Sequence, residues 1–260
     1  MSNLGKTIPM PLGRRVIGDF LRASINLPTI TVAKEMNVAE VMASRNNAWP
    51  RPSWCSIFTK AYAKVVATHP ELRRACLTFP WERMFESADI TADLVVETRF
   101  HDETVLAHAR VKHPESRPLL AMDKQLSECK ENPGNDRKRF LRPRLLARFP
   151  RFIRDWAWWY ILNGSGAMRY HYFGTFGVSS MGQWGVKSIR PLSPWISLLH
   201  YGPIQPNGSL DVLLTYDHRV LDGSGPSRAL AEMGQYLQSD LLSELQSLQG
   251  EKPDGLLQAG

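Results

Sequence analysis

The chain reads as one α+β domain built on a mixed, open-faced sheet. Three observations predict this. Stretches that alternate with period two are interleaved with stretches of helical period. They succeed one another without the strand–helix–strand rhythm of a parallel sheet. The composition, 43% hydrophobic and 22% charged over 260 residues, is that of a globular protein that buries a core without disulfides or metal.

Ser53 to His69 reads as a helix. Trp54, Phe58, Ala61 and Val65 recur at helical spacing, Ser53 caps the start and Pro70 ends it. Asp89 to Thr98 reads as a strand, with Ile90, Ala92, Leu94 and Val96 on one face. His101-Asp102-Glu103 is a turn, and Val105, Ala107, Ala109 and Val111 alternate again, which makes a hairpin. Met122-Asp123-Lys124 reads as a helix start. Tyr172 to Ser179 is aromatic and β-branched, hence a strand, and Trp195 to Tyr201 is another. Asn207-Gly208 is a two-residue hairpin turn, after which Leu210, Val212, Leu214 and Tyr216 alternate strictly. From Pro226 a helix carries the stripe Leu230, Met233, Leu237, Leu241 and Leu245. No internal repeat or linker divides the chain, so a single domain is expected over 1–250, with a flexible tail at 251–260.

Several function classes recede on composition. The three cysteines, Cys55, Cys76 and Cys129, are far apart and form no C-x-x-C pair. That argues against a disulfide framework, a zinc site or a redox motif, and for a reducing compartment such as the cytoplasm. The opening residues carry no apolar signal segment, and no run approaches the ~20 apolar residues of a membrane span. The net charge of +7 favours anionic partners: phosphorylated cofactors, acidic proteins, nucleic acid or anionic lipid.

The most informative stretch is Leu213 to Gly223. An apolar run delivers His218, and Asp222 follows four residues later, closed by Gly223. A histidine at a strand end is held rigidly yet faces a cleft, and a pKa near ~6.5 lets it take and return a proton at cellular pH. Gly223 suits a turn that needs positive φ.

Three elements in order resemble one family. They are Arg14 to Ser24, a basic opening helix; Thr175 to Val186, similar to T-F-x-[IV]-S-N-L-G-x-x-G; and His218 to Gly223, similar to His-x-x-x-Asp-Gly. From about Arg14 to about Leu245 the chain resembles the catalytic domain of the 2-oxo acid dehydrogenase acyltransferases (dihydrolipoamide acyltransferases). More remotely it is similar to chloramphenicol acetyltransferase, whose His-Pro-Glu-x-Arg segment is matched by His69 to Arg73. The resemblance implies a two-layer sandwich, a mixed β-sheet covered by helices, assembled as a trimer or a larger particle of trimers. It implies His218 as general base and Ser179 as hydroxyl donor to the oxyanion, with Ser180 a weaker candidate, the two acting across a subunit interface. Asp222 and Gly223 would shape the loop, with Asp222 paired to Arg15, or failing that Arg14. The lipoyl domain, subunit-binding domain and Ala/Pro-rich linkers of a full member are not in this sequence. Two donors stay open: a coenzyme A thioester, or a lipoyl carrier in trans on another protein. An inactive trimeric scaffold on the same core is the rival reading.

Residues 135–172 depart from the family pattern. Arg148, Arg151 and Arg154 lead into Trp156, Trp158 and Trp159, and Pro143 and Pro150 prevent one long straight helix. Basic residues beside tryptophans suit an anionic membrane surface, a channel for a long acyl chain, a subunit interface, or a helix with core aromatics and solvated arginines. Stacking aromatics occur in single-strand binders, but no nucleic-acid module is visible.

Overall fold

The computed structural model describes residues 5–100, 103–132, 137–180, 185–186, 189 and 191–249. The expected turn residues His101 and Asp102, the motif residues Met181 to Trp184 and the tail 251–260 lie outside them. In chain order the elements are α1 (Leu12–Ser24), β1 (Thr29–Asn37), α2 (Ala39–Asn47), α3 (Trp54–Thr68), a short 3-10 turn (Pro70–Arg73), β2 (Arg74–Leu77), β3 (Arg83–Glu86), β4 (Thr91–Phe100) and β5 (Glu103–Lys112). Then follow α4 (Leu119–Glu131), α5 (Arg137–Leu146), α6 (Arg151–Asn163), α7 (Gly166–Phe173), β6 (Phe176–Ser180), β7 (Ser197–Tyr201), β8 (Ser209–Asp217), α8 (Ser224–Gln238) and α9 (Asp240–Ser247).

The main sheet runs β1-β8-β7-β6-β4-β5. It is mixed, as expected: β6 is parallel to both β4 and β7, and the remaining pairs are antiparallel. Side-chain alternation divides the core between its two faces. On the first face Leu94, Phe176, Leu199 and Leu214 meet Ile57, Phe58 and Tyr62 of α3, Met122 of α4 and Leu230 and Met233 of α8. On the second face Leu198 and Val95 meet Phe20 of α1, Trp158 and Ile161 of α6, Phe173 of α7 and Trp195.

Several elements differ from expectation for local reasons. Tyr172 and Phe173 close α7 rather than open a strand; Gly174, at φ 69°, ends that helix and β6 begins at Phe176. The seventh strand starts at Ser197, not Trp195. The last helical stretch is broken at Ser239, so the expected stripe is shared between α8 and α9, and all five of its residues are buried. Asp123 does not start a helix. It sits within α4, and its carboxylate accepts from the Ser53 amide at 2.8 Å and from the hydroxyls of Ser53 and Ser56 at 2.5 Å, reinforcing the α3 N-terminus that Ser53 caps. Pro143 lies inside α5 without ending it, whereas Pro150 separates α5 from α6. Gly208 sits at φ 82° in the β7–β8 connection, and a Cβ there would lie 2.6 Å from the backbone of Ala39, so only glycine fits.

Candidate active site

His218 follows directly on β8, exposed, with its amide bonded to the Pro28 carbonyl at 2.9 Å. What holds it there is Asp217, one residue before it and wholly buried. The Asp217 carboxylate takes Arg219 in a two-pronged ion pair at 2.9 and 2.6 Å and accepts from the Arg219 amide at 3.1 Å. The Asp217 carbonyl accepts from the amides of Val220 and Leu221. Behind it lies Arg169, 3.8 Å away and also buried, which donates to the carbonyls of Cys76, Leu162 and Pro194. Burial pulls the Arg169 guanidinium down to about 10, against the opposing pull of Asp217.

The loop role expected of Asp222 thus falls to Asp217. Asp222 is exposed, and no ion pair joins it to Arg15, which donates instead to the Ala147 carbonyl at 3.2 Å and ties α1 to the end of α5. Arg14 makes no ion pair with Asp222 either among the described residues. Gly223 is helical at φ −56°, so positive φ is not its reason; a Cβ there would only touch the Tyr216 hydroxyl at 3.6 Å. Burial, and then the charge of Asp222, push the Tyr216 phenol up.

Ser179 lies on β6 and faces the second side of the sheet, like Gly177. The side chain of Ser180 lies outside the described residues. The register sets how far Ser179 stands from His218. Ser179 pairs with His200, and His200 pairs with Leu213, five residues before His218. At ~3.4 Å per residue along β8 and ~4.8 Å per strand across, the two are roughly 19 Å apart in one chain. They cannot meet on one substrate atom within a single subunit.

The same register exposes two histidines that the motifs do not mark. His200 is the direct neighbour of Ser179, buried, with Nε2 3.1 Å from the Thr215 hydroxyl, which meets Thr31 at 2.7 Å. On the other side His108 pairs with Val95, and Val95 continues the row to Ser179. His108 Nδ1 lies 2.9 Å from the fully buried Asp93, which also accepts from the Trp195 indole at 3.1 Å, and the Trp195 ring stacks on His108. Polar residues on the inward-facing positions of β5 and β7 are the sequence signal for them.

Burial works against a charge on His108, but the adjacent Asp93 carboxylate outweighs it and raises the ring above its ordinary value, with Arg110 pulling the other way. A folded-state value above the unfolded ~6.5 means that the pair's stabilisation is fully present below about pH 6.5. It is lost as pH rises through the raised value. The stability difference between the native chain and His108→Gln should therefore narrow as pH climbs above 6.5. Urea unfolding of both across pH measures it, and a gap that widens with pH would contradict the pairing.

Ser179 opens onto a cavity of about 240 Å³ on the second face. Its floor is Val95, Leu198 and Trp195 of the sheet layer. Val16, Phe20 and Leu21 of α1 form one wall, and Phe140, Pro143 and Arg144 of α5 another, with Trp158 and Tyr172 behind. Two of the six residues assigned to a membrane or acyl-chain contact therefore do not face outward. Trp158 is buried in this wall, and Arg154 bonds the buried Asp19 of α1 at 2.5 Å. Arg148, Arg151, Trp156 and Trp159 are exposed. No helix among the described residues is long and apolar enough to cross a membrane.

At the level of sequence, no family model and no curated protein matches the chain. Solved structures do match it. A probable dihydrolipoamide acetyltransferase from Listeria monocytogenes superposes with a TM-score of 0.67 at 17% identity, over 91% of this chain and 96% of that one. The dihydrolipoamide acetyltransferase of Azotobacter vinelandii, solved to examine how a serine, a histidine and an asparagine act in its catalytic mechanism, gives 0.66 at 20% identity, over 94% and 96%. A chloramphenicol acetyltransferase gives 0.51 at 12% identity, over 88% and 96%. The chain has the α+β fold of the dihydrolipoamide acetyltransferase catalytic cores, shared with chloramphenicol acetyltransferase.

Proposed function

We propose that this chain is an acyltransferase that moves an acyl group from a thioester to a thiol, hydroxyl or amine, at a site completed between subunits of a homotrimer. The observation that carries the reading is the placement of Ser179 in the middle of the sheet and of His218 just past the end of β8, too far apart to meet, in a fold shared with acetyltransferases. A catalytic pair so separated requires a second copy of the chain. In the Azotobacter enzyme the histidine and asparagine under study also stand four residues apart, as His218 and Asp222 do here.

His218 takes the proton from the acceptor, whose heteroatom attacks the thioester carbonyl. The carbonyl electrons move to oxygen, and the Ser179 hydroxyl donates a hydrogen bond to that oxyanion. The tetrahedral intermediate then collapses, the carbon–sulfur bond breaks, and the departing thiolate takes the proton back from the His218 imidazolium. Asp217 supports this by fixing the loop that carries the base. Coenzyme A or a lipoyl group on another protein would supply the thioester. The wide spacing of Cys55, Cys76 and Cys129 along the sequence, with no C-x-x-C pair, supports a reducing compartment, the cytoplasm. The exposed Arg148, Arg151, Trp156 and Trp159 support an added contact with an anionic membrane surface.

The test is to incubate the purified chain with acyl-coenzyme A and a panel of thiol, hydroxyl and amine acceptors while following thiol release and native mass. Acceptor-dependent release from a trimer or larger assembly is expected. A clean monomer, or no release with any acceptor or donor, overturns the reading.

A further inference from the structure

We infer that the cavity beside Ser179 is the seat of the acyl chain, and that the chain it takes is linear and aliphatic, about ten carbons long. This rests on the acyl-transfer reading and adds the substrate class to it.

An oxyanion held by Ser179 is one bond from the first carbon of the acyl chain, so the chain must leave through whatever space adjoins Ser179. That space is apolar on almost every side: Val16 and Phe20 of α1, Val95 and Leu198 of the sheet, Phe140 and Trp158 opposite. Its polar groups are few, and three of them are already engaged within the chain. His108 is matched to Asp93, the Trp195 indole donates to the same carboxylate, and Arg144 lies over the rings of Phe100 and Phe140. A hydrocarbon gains by entering such a site, whereas a carboxylate or hydroxyl on the chain would lose its water against a lining that is mostly apolar.

Size sets the length. An apolar cavity of ~150 Å³ takes up a six-carbon ring; by the same proportion 240 Å³ holds roughly ten carbons. The mouth is rimmed by half-exposed aliphatic residues, Leu21 at 39%, Leu106 at 41% and Leu192 at 40%. The far wall is built by Phe140, Pro143, Trp158 and Tyr172, all within residues 135–172. The segment that departs from the family pattern is therefore what closes the cavity.

The experiment measures kcat/KM of the full chain for acetyl-, butyryl-, hexanoyl-, octanoyl-, decanoyl-, palmitoyl- and succinyl-coenzyme A with one acceptor, and calorimetric binding of decanoyl-coenzyme A against coenzyme A. From butyryl to decanoyl, kcat/KM is expected to rise by up to about fourfold per methylene, the equivalent of ~0.8 kcal/mol, and then to level off. Leu106→Trp and Leu21→Trp, both at half-exposed rim positions that tolerate a larger side chain, should each reverse the order so that decanoyl falls below butyryl. Transfer that is flat with chain length, fastest with acetyl or succinyl, or unaltered in order by both variants overturns this inference and leaves the transferase reading intact. No transfer with any donor, but decanoyl-coenzyme A bound at least about tenfold tighter than coenzyme A and released by both variants, keeps the cavity as an acyl site and overturns the transferase reading. Neither transfer nor preferential binding overturns both.

Discussion

Replacing His218 by alanine should lower acyl transfer about 10²–10⁴-fold, the usual worth of a positioned general base. The fold should be unchanged, because the ring is exposed and the residue's bond to the structure is its backbone amide to Pro28. Ser179→Ala should cost about 10²–10³ in turnover by removing one oxyanion donor. The informative experiment combines them. Each variant alone should keep at most about 1% of native activity, yet dissociated and reassembled together in equal amounts they should regain about a quarter of it. In a cyclic trimer a working site then forms wherever a chain with intact His218 precedes one with intact Ser179. Activity that stays at the level of the separate variants would mean that both residues serve the same subunit, against their separation along the sheet. An unchanged rate in His218→Ala would remove the base altogether.

Asp217→Ala should destabilise the chain by about 3–5 kcal/mol, because it leaves two guanidinium groups, Arg169 and Arg219, without their buried counter-charge. Asp217→Asn keeps the shape but not the charge and should recover only part of that loss. Urea unfolding followed by far-ultraviolet circular dichroism reads both. A loss below about 1 kcal/mol in the alanine variant would show that the network is solvated and no stronger than a surface pair. The same variant should slow transfer even at temperatures where it remains folded, since the loop bearing His218 loses its anchor.

Much of the sheet is legible in the amino-acid sequence. Strands β4, β5 and β8 alternate cleanly because one of their faces meets the main core, and Asn207-Gly208 marks the connection leading into β8. Strand β1 is not legible. It is an edge strand exposed over most of its length; Ile30, Val32 and Met36 alternate, but Lys34 interrupts the row, so the apolar period is too short to mark a nine-residue strand. The helix over Arg151–Asn163 hides its orientation for the opposite reason. Apolar residues, aromatic and aliphatic together, occupy every side of it, and only burial distinguishes Trp158 from Trp156 and Trp159. Of the two aspartates flanking His218, the motif singles out the wrong one for architecture. Spacing draws attention to Asp222, but nothing local reveals that Arg169, distant in sequence, waits behind Asp217. Ser179 and His218 are found through their motifs; their distance apart is a property of register, which one sequence does not print.

The clamp between α1 and α6 has a consequence for how the molecule responds to its solution. Asp19 holds both Arg22 and Arg154, and Asp155 holds Arg22 and Arg151, so two of the helices around the cavity are fastened to each other by ion pairs, several of them part-exposed. The contents of that cavity are held by oil-like contacts instead. Ordinary salt weakens the fastening, since charges near water are screened over ~8 Å at physiological strength. Strongly hydrated salts such as sulfate tighten apolar packing. The walls and the interior therefore answer to different ions, and the breathing of the cavity can be tuned apart from its grip by the choice of anion alone.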